Sequence, residues 1–170
     1  MPAETLATTG PVLSDPRVHR AIELVWHEAR LLDRKQYTQW DALWAPGGLY
    51  VIPIDPDTDD FASSLNMVYD DDRMRRMRIE RLTGGFSISA SAAARTVRTV
   101  SSFVVESRDD ESVELSGAQV LVGHRRERTF VLAADVTYRI LLDGPEPLLA
   151  RKVVRLINSE DAVNASGFLL

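Results

Sequence analysis

No cysteine occurs anywhere in the 170 residues. Disulfides, thiolate nucleophiles, cysteine-bound zinc and thiolate-held iron–sulfur clusters are therefore excluded from this chain. The absence fits a reducing cytoplasm. Histidine is also scarce: His19, His27 and His124 are the full set. No stretch approaches the ~18 consecutive apolar residues of a membrane span. The opening MPAETLATTG has neither the basic start nor the apolar run of a secretory signal. A net charge of −5 argues against general nucleic-acid binding, which needs a basic surface. What remains is a chain of one-domain length, which on folding buries roughly 68–70% of its unfolded surface and needs no covalent staples.

The first half reads as helical. Residues 1–13 are small and polar and read as a mobile arm, leaving residues 14–170 as a single domain. Ser14-Asp15-Pro16 is a helix start, a capping side chain followed by proline in the first turn. Val18, Ile22, Val25, Ala29 and Leu32 fall within about 80° on a helical wheel, and Trp26 widens that stripe. A second short helix is expected to hold Tyr37, Trp40, Leu43 and Trp44, ended by Pro46-Gly47-Gly48. Leu49–Ile54 reads as a strand, placed at a sheet edge because Pro53 has no ladder donor. An acidic loop, Asp55–Asp60, follows. A third helix is expected to begin with Asp70 as cap and to stop at Gly84-Gly85.

The second half reads as strands: Arg95–Glu106, Ser112–His124, Glu127–Leu142 and Leu148–Ile157. In the third, Phe130, Leu132, Ala134, Val136, Tyr138, Ile140 and Leu142 alternate with Val131, Asp135, Thr137 and Arg139, a period of two that puts the aromatic set on one face. Gly117 inside a strand suggests a bulge that would bend the sheet. Helices followed by consecutive antiparallel strands indicate an α+β fold whose helices cover one face of a curved sheet.

Several stretches invite a chemical reading. Trp26–Asp33, WHEARLLD, half-spells the helical zinc motif H-E-x-x-H, but Leu31 fills the place of its second histidine. His19 lies eight residues earlier, a rise of ~12 Å, too far to share one ion with His27 on a straight helix. A helix with a buried stripe and His27 on its polar side is the better reading. Arg73, Arg75, Arg76, Arg78 and Arg81 could suggest phosphate binding, yet they are spread around the helix among Asp70, Asp71, Asp72 and Glu80. A salt-bridged helix or subunit contact suits them better, since arginine pairs carboxylates in planar, bidentate fashion across interfaces. Asp55–Asp60 lacks the glycine and glutamate an EF-hand loop requires at its sixth and twelfth positions. Asp135 is the most suggestive strand carboxylate for acid–base work, but it lies opposite the expected core face. Trp26, Trp40 and Trp44 at helical spacing are packing residues.

Four blocks then carry a resemblance. EARLLDRKQYTQWDALW (Glu28–Trp44) with the following YVIP, YDDDRMRRMRIERL (Tyr69–Leu82), RTVRTVSSFVV from Arg95, and ARKVVRLINSEDAVNASGFLL from Ala150 resemble, in order, the small (beta) subunit of bacterial aromatic-ring-hydroxylating dioxygenases. Ser102 stands where asparagine is common in that family. The resemblance implies a cone-shaped fold, cystatin-like and similar to nuclear transport factor 2. It implies assembly as a homotrimer within a hexamer of three large and three small subunits. It places the Rieske cluster and the mononuclear iron on the large (alpha) subunit, leaving this chain as non-catalytic support in aromatic-compound catabolism.

The residues agree with that division. A Rieske centre takes two cysteines and two histidines. A mononuclear oxygenase iron takes two histidines and a carboxylate, and His124 sits beside Arg125 and Arg126, a poor setting for a cation. No catalytic, cofactor or metal residue is therefore expected on this chain. Asp70, Arg73, Arg78 and Arg95 are the candidate interface residues. Two rival readings stand beside this one: a stand-alone lyase or isomerase using the cone cavity, with Asp135 or a histidine in an apolar pocket, and an oligomeric binding module with no redox partner.

Overall fold

The computed structural model describes residues 14–84, 94–159 and 169–170. The expected arm at 1–13 lies outside them. Helix α1 spans Pro16–Asp33. Asp15 caps it, accepting from the Arg17 amide at 2.9 Å, and Pro16 opens the first turn. Its inward stripe holds every residue of the expected set, joined by Ala21, Leu24, Leu31 and, among them, Glu28. Full burial of each large aliphatic side chain contributes about 1.5–3 kcal/mol. Trp26 sits at the border of the stripe, half exposed, its indole donating to the Val100 carbonyl at 3.2 Å.

Helix α2 is shorter than expected, Tyr37–Asp41, and Trp44 lies outside it. Trp44 opens strand β1, Trp44–Pro53. Pro46-Gly47-Gly48 thus forms an irregularity inside a strand rather than the end of a helix. Gly47 takes φ +76°, which glycine adopts without steric cost. A Cβ on Gly48 would stand 3.0 Å from the Leu149 carbonyl oxygen, so close backbone approach requires glycine there.

Strand β2, Asn66–Asp70, is too short to show alternation in the sequence. It takes the sheet edge expected for β1, which is instead interior. Pro53 is accommodated at a register shift in the β1–β2 ladder. Helix α3 runs Asp72–Thr83 and is capped by Asp71, whose side chain accepts from the Met74 amide at 2.9 Å; Asp70, expected as the cap, ends β2.

Strands β3 (Arg95–Arg108), β4 (Ser112–Arg125), β5 (Arg128–Leu141) and β6 (Leu148–Leu156) match the expected four within two residues at each end. The sheet order is β2-β1-β6-β5-β4-β3. Every pair is antiparallel except β1–β6, which is parallel. On β5, Ala134, Val136, Tyr138 and Ile140 are buried while Val131 and Asp135 are exposed, so the alternation reads as expected. A bulge does occur at Gly117, with the extra residue on its neighbour: Ser101 pairs with Ala118 and Val104 with Ser116, so Ser102 and Phe103 both oppose Gly117. The α1 stripe and the aromatic residues of α2 and β1 join the inner sheet face in one apolar core.

Candidate functional site

The interior of this fold is built around ionic groups. Glu28 points from the buried stripe of α1 and is 1% exposed; Lys152 comes from the inner face of β6 and is fully buried. Lys152 Nζ donates to Glu28 Oε1 at 2.8 Å and to the Leu170 carbonyl oxygen at 2.9 Å. The Trp40 indole donates to the same Glu28 oxygen at 3.0 Å. The Tyr50 hydroxyl donates to the Leu170 carbonyl at 2.9 Å and lies 3.0 Å from the Leu170 amide. Burial pushes the Lys152 ammonium below its usual value, with the Glu28 carboxylate opposing. Burial likewise raises the Tyr50 and Tyr138 phenols, so both stay neutral. The rings of Trp40, Trp44 and Tyr50 meet with centroids 5.5–6.2 Å apart and edges tilted to faces.

A second ionic cluster closes the far end of α1. Asp33 Oδ1 accepts from Arg98 Nε at 2.9 Å and from Thr96 Oγ1 at 2.8 Å, while Oδ2 accepts from the Arg98 amide at 2.9 Å. The outer nitrogens of the Arg98 guanidinium are buried without a hydrogen-bond partner among the described residues.

A third cluster fixes α3. The Arg75 guanidinium, 2% exposed, lies over the Trp44 ring at 4.2 Å. It donates to the Gly48 carbonyl at 2.5 Å, to Asp72 at 2.6 Å and to Asp41 at 3.4 Å. Asp72 also accepts from the Gly47 amide at 2.9 Å. That backbone donor, then Arg75, holds the Asp72 carboxyl below its usual range. Arg78 grips the buried Asp70 with two bonds, at 2.5 and 3.0 Å. Arg155 pins the acidic loop to β6, donating to the Pro56 and Thr58 carbonyls at 3.0 and 3.1 Å and to Asp59 at 2.7 Å.

Of the four candidate interface residues, Asp70 and Arg78 meet as an intramolecular clamp between β2 and α3. Arg73 is exposed on the same helix. Arg95 is exposed on β3, at the opposite edge of the sheet. The four do not form one surface. Asp135, His19, His27 and His124 are all exposed. His27 lines a surface groove of about 410 Å³ with Arg20, Glu23 and Leu148. Leu24, Leu43 and Glu146 also line that groove, so of the four His27 stands in one, beside Glu23 and Glu146, and it is open to solvent.

The residues do not fit an iron–sulfur cluster, for which the chain has no thiolate. Among the described residues no three His, Asp or Glu side chains are placed to hold a metal ion. Sequence reasoning missed Glu28, Asp33, Arg98 and Lys152 as a set. The signals were Glu28 at i+4 from Leu24 and i−4 from Leu32, and Lys152 on the parity of Val154 and Leu156, charged residues at apolar-face positions.

A sequence model of the family described as "Ring hydroxylating beta subunit" matches residues 27–160. The beta subunit of benzoate 1,2-dioxygenase from Acinetobacter baylyi is 24% identical over 146 residues, covering 83% of this chain and 86% of that protein. The crystal structure of the benzoate 1,2-dioxygenase beta subunit from Burkholderia mallei superposes with a TM-score of 0.73 at 19% identity, covering 91% of this chain and 97% of that one. An NTF2-like protein with a cystatin-like fold from Novosphingobium aromaticivorans superposes with a TM-score of 0.59 at 11% identity, over 88% and 86% of the two chains, and shares the fold alone.

Proposed function

The chain belongs to the ring-hydroxylating beta-subunit family, and from that premise we propose that it is the non-catalytic small subunit of an aromatic-ring-hydroxylating dioxygenase. In this reading it works in the cytoplasm, in the breakdown of aromatic compounds. Three copies join three large subunits, and the large subunit carries the Rieske cluster and the mononuclear iron. The small subunit contributes burial of shared surface, which holds the large subunits in register.

One observation carries the reading. The interior of the cone, where a fold of this shape could hold a substrate, is occupied by the packed rings of Trp40, Trp44 and Tyr50 and by the Glu28–Lys152 pair. Those groups bond one another and tie α1 to β6. Their arrangement supports rigidity, which a scaffold needs, and the side chains with free titratable tips lie outside.

Co-expression with a ring-hydroxylating large subunit tests this. An affinity tag on this chain is expected to recover a Rieske-coloured complex that sizes as a hexamer, while the chain alone is colourless. Recovery of the chain without a large subunit under all conditions would refute the assignment.

A further inference from the structure

Leu169 and Leu170 lie in the apolar core, 3% and 1% exposed, although they belong to no helix or strand. Buried backbone groups need partners, which a helix or a strand ladder normally provides. Here side chains provide them. The Leu170 carbonyl oxygen accepts from the Tyr50 hydroxyl at 2.9 Å and from Lys152 Nζ at 2.9 Å. The Leu170 amide donates to the Tyr50 oxygen at 3.0 Å. One residue is thus read at both of its backbone groups by two side chains, in the way a pocket orients a bound molecule with a few placed polar groups.

The sheet builds the reading groups as a row. Tyr50 on β1 pairs with Lys152 on β6, and Lys152 pairs with Tyr138 on β5. All three are fully buried. The Lys152 ammonium lies 5.8 Å from the centre of the Tyr50 ring and 5.7 Å from that of Tyr138, so aromatic walls flank the cation. Glu28 from α1 bonds the same ammonium at 2.8 Å. Burial keeps the Tyr50 phenol neutral, so its proton stays available to a carbonyl. The ladders that join β1, β6 and β5 are made by the main chain and do not need the tips of Tyr50 and Lys152. Apolar side chains would fill the row without the cost of desolvating an ammonium. What the two tips do together is receive a carbonyl oxygen and an N–H.

We propose that the cone holds a ligand site, and that Leu169 and Leu170 occupy it in cis and thereby keep small molecules out. With the leucines displaced, the site takes a branched aliphatic molecule carrying an amide. Its carbonyl oxygen is bound by Tyr50 and Lys152, its N–H by the Tyr50 oxygen, and its apolar body by the core that now buries the leucines. The inference goes beyond the subunit reading and needs no large subunit, so either can fail without the other.

The test uses N-acetyl-L-leucine amide, which copies the backbone groups and side chain of Leu170. The displaced form is the full chain with Leu169→Lys and Leu170→Lys, because added ammonium groups do not stay beside Lys152 in an apolar interior. Calorimetry is expected to show the probe binding the displaced form at least about tenfold more tightly than the parent, whose own leucines fill the site. Tyr50→Phe in the displaced form is expected to weaken binding about tenfold. If the displaced form is unfolded alone, the probe is expected to restore its circular-dichroism spectrum, since a ligand of the folded state stabilises that state. In the parent, the Leu170 amide is expected to exchange its hydrogen as slowly as the amides of β6. Equal binding to the parent and the displaced form would overturn the proposal. So would a displaced form that neither binds the probe nor is refolded by it, a Tyr50→Phe variant that binds as tightly, or a parent whose Leu170 amide exchanges at the rate of an exposed one.

Discussion

Glu28 on α1 and Lys152 on β6 stand 124 positions apart in the chain and 2.8 Å apart in the fold, both out of contact with solvent. Taking two such charges out of water is costly, and the cost is offset in part by further hydrogen bonds from Trp40 to Glu28 and from Lys152 to Leu170. Removing one partner leaves the other buried and uncompensated. Lys152→Met or Glu28→Gln should therefore cost about 3–5 kcal/mol of folding stability. The double variant Glu28→Leu/Lys152→Met should cost much less than the sum. Urea denaturation of the two singles and the double measures this, and simple additivity would show that the groups are not coupled.

Arg75 joins α3 to β1 through its stack on Trp44 and its bond to the Gly48 carbonyl. Truncation to alanine removes charge-assisted bonds, exposes the indole face and should cost about 2–3 kcal/mol. Arg75→Lys should be nearly as damaging, because an ammonium neither stacks nor forks. Thermal unfolding followed by tryptophan fluorescence reads both, and a lysine variant as stable as the parent would contradict the role given to the planar group.

The β3 bulge makes two opposite expectations. Ser102 is held at φ +57°, where asparagine and glycine are more at ease than serine. Ser102→Asn should raise stability by up to about 1 kcal/mol. Gly117 faces the bulge, and a Cβ there would stand 2.8 Å from the Ser101 carbonyl oxygen and 3.2 Å from the Phe103 ring. Gly117→Ala should cost about 1–3 kcal/mol. Chemical denaturation separates the two signs, and a neutral Gly117→Ala would mean the bulge relaxes freely.

Acid sensitivity follows from three carboxylates held below their usual value of 3.8: Asp15 by Arg17, Asp72 by the Gly47 amide and Arg75, and Asp109 by the Glu111 and Ser112 amides. Each folded-state pKa is depressed, so the unfolded chain binds more protons in the interval between the two values. Their contribution to stability is full above the unfolded value and is lost as pH falls through the lower folded values. Melting temperature should hold between neutrality and about pH 5 and then drop below about pH 4. Asp72→Asn should flatten part of that drop, and an identical acid limb in that variant would remove Asp72 from the explanation.

Much of the fold was legible because burial leaves a period in the sequence. The stripe Val18–Leu32 and the alternation Phe130–Leu142 both face the core as read. The errors have local causes. Gly47 and Gly48 read as a helix terminator, yet here they serve a strand that must approach β6 closely. β2 is five residues long and hides between an acidic loop and an arginine helix, which also made Asp70 look like a cap. The site was less legible. Glu28 and Lys152 break the apolar pattern singly, and only the tertiary contact between them turns two local anomalies into one feature. Arg78, a candidate interface residue, also bonds Asp70 within this chain, a contact the sequence did not announce.

The central claim is that this chain shapes an oxygenase without reacting in it. The most direct measurement is turnover per large-subunit iron in co-expressed complexes carrying His27→Ala, His124→Ala or Asp135→Asn in this chain, with assembly checked by sizing. The expected result is a complex of normal composition whose turnover per iron stays within about twofold of the parent, under ~0.5 kcal/mol of transition-state stabilisation. A fully assembled, iron-replete complex that loses turnover by about a hundredfold, ~2.7 kcal/mol, on one of these substitutions would place chemistry on this subunit and contradict the account.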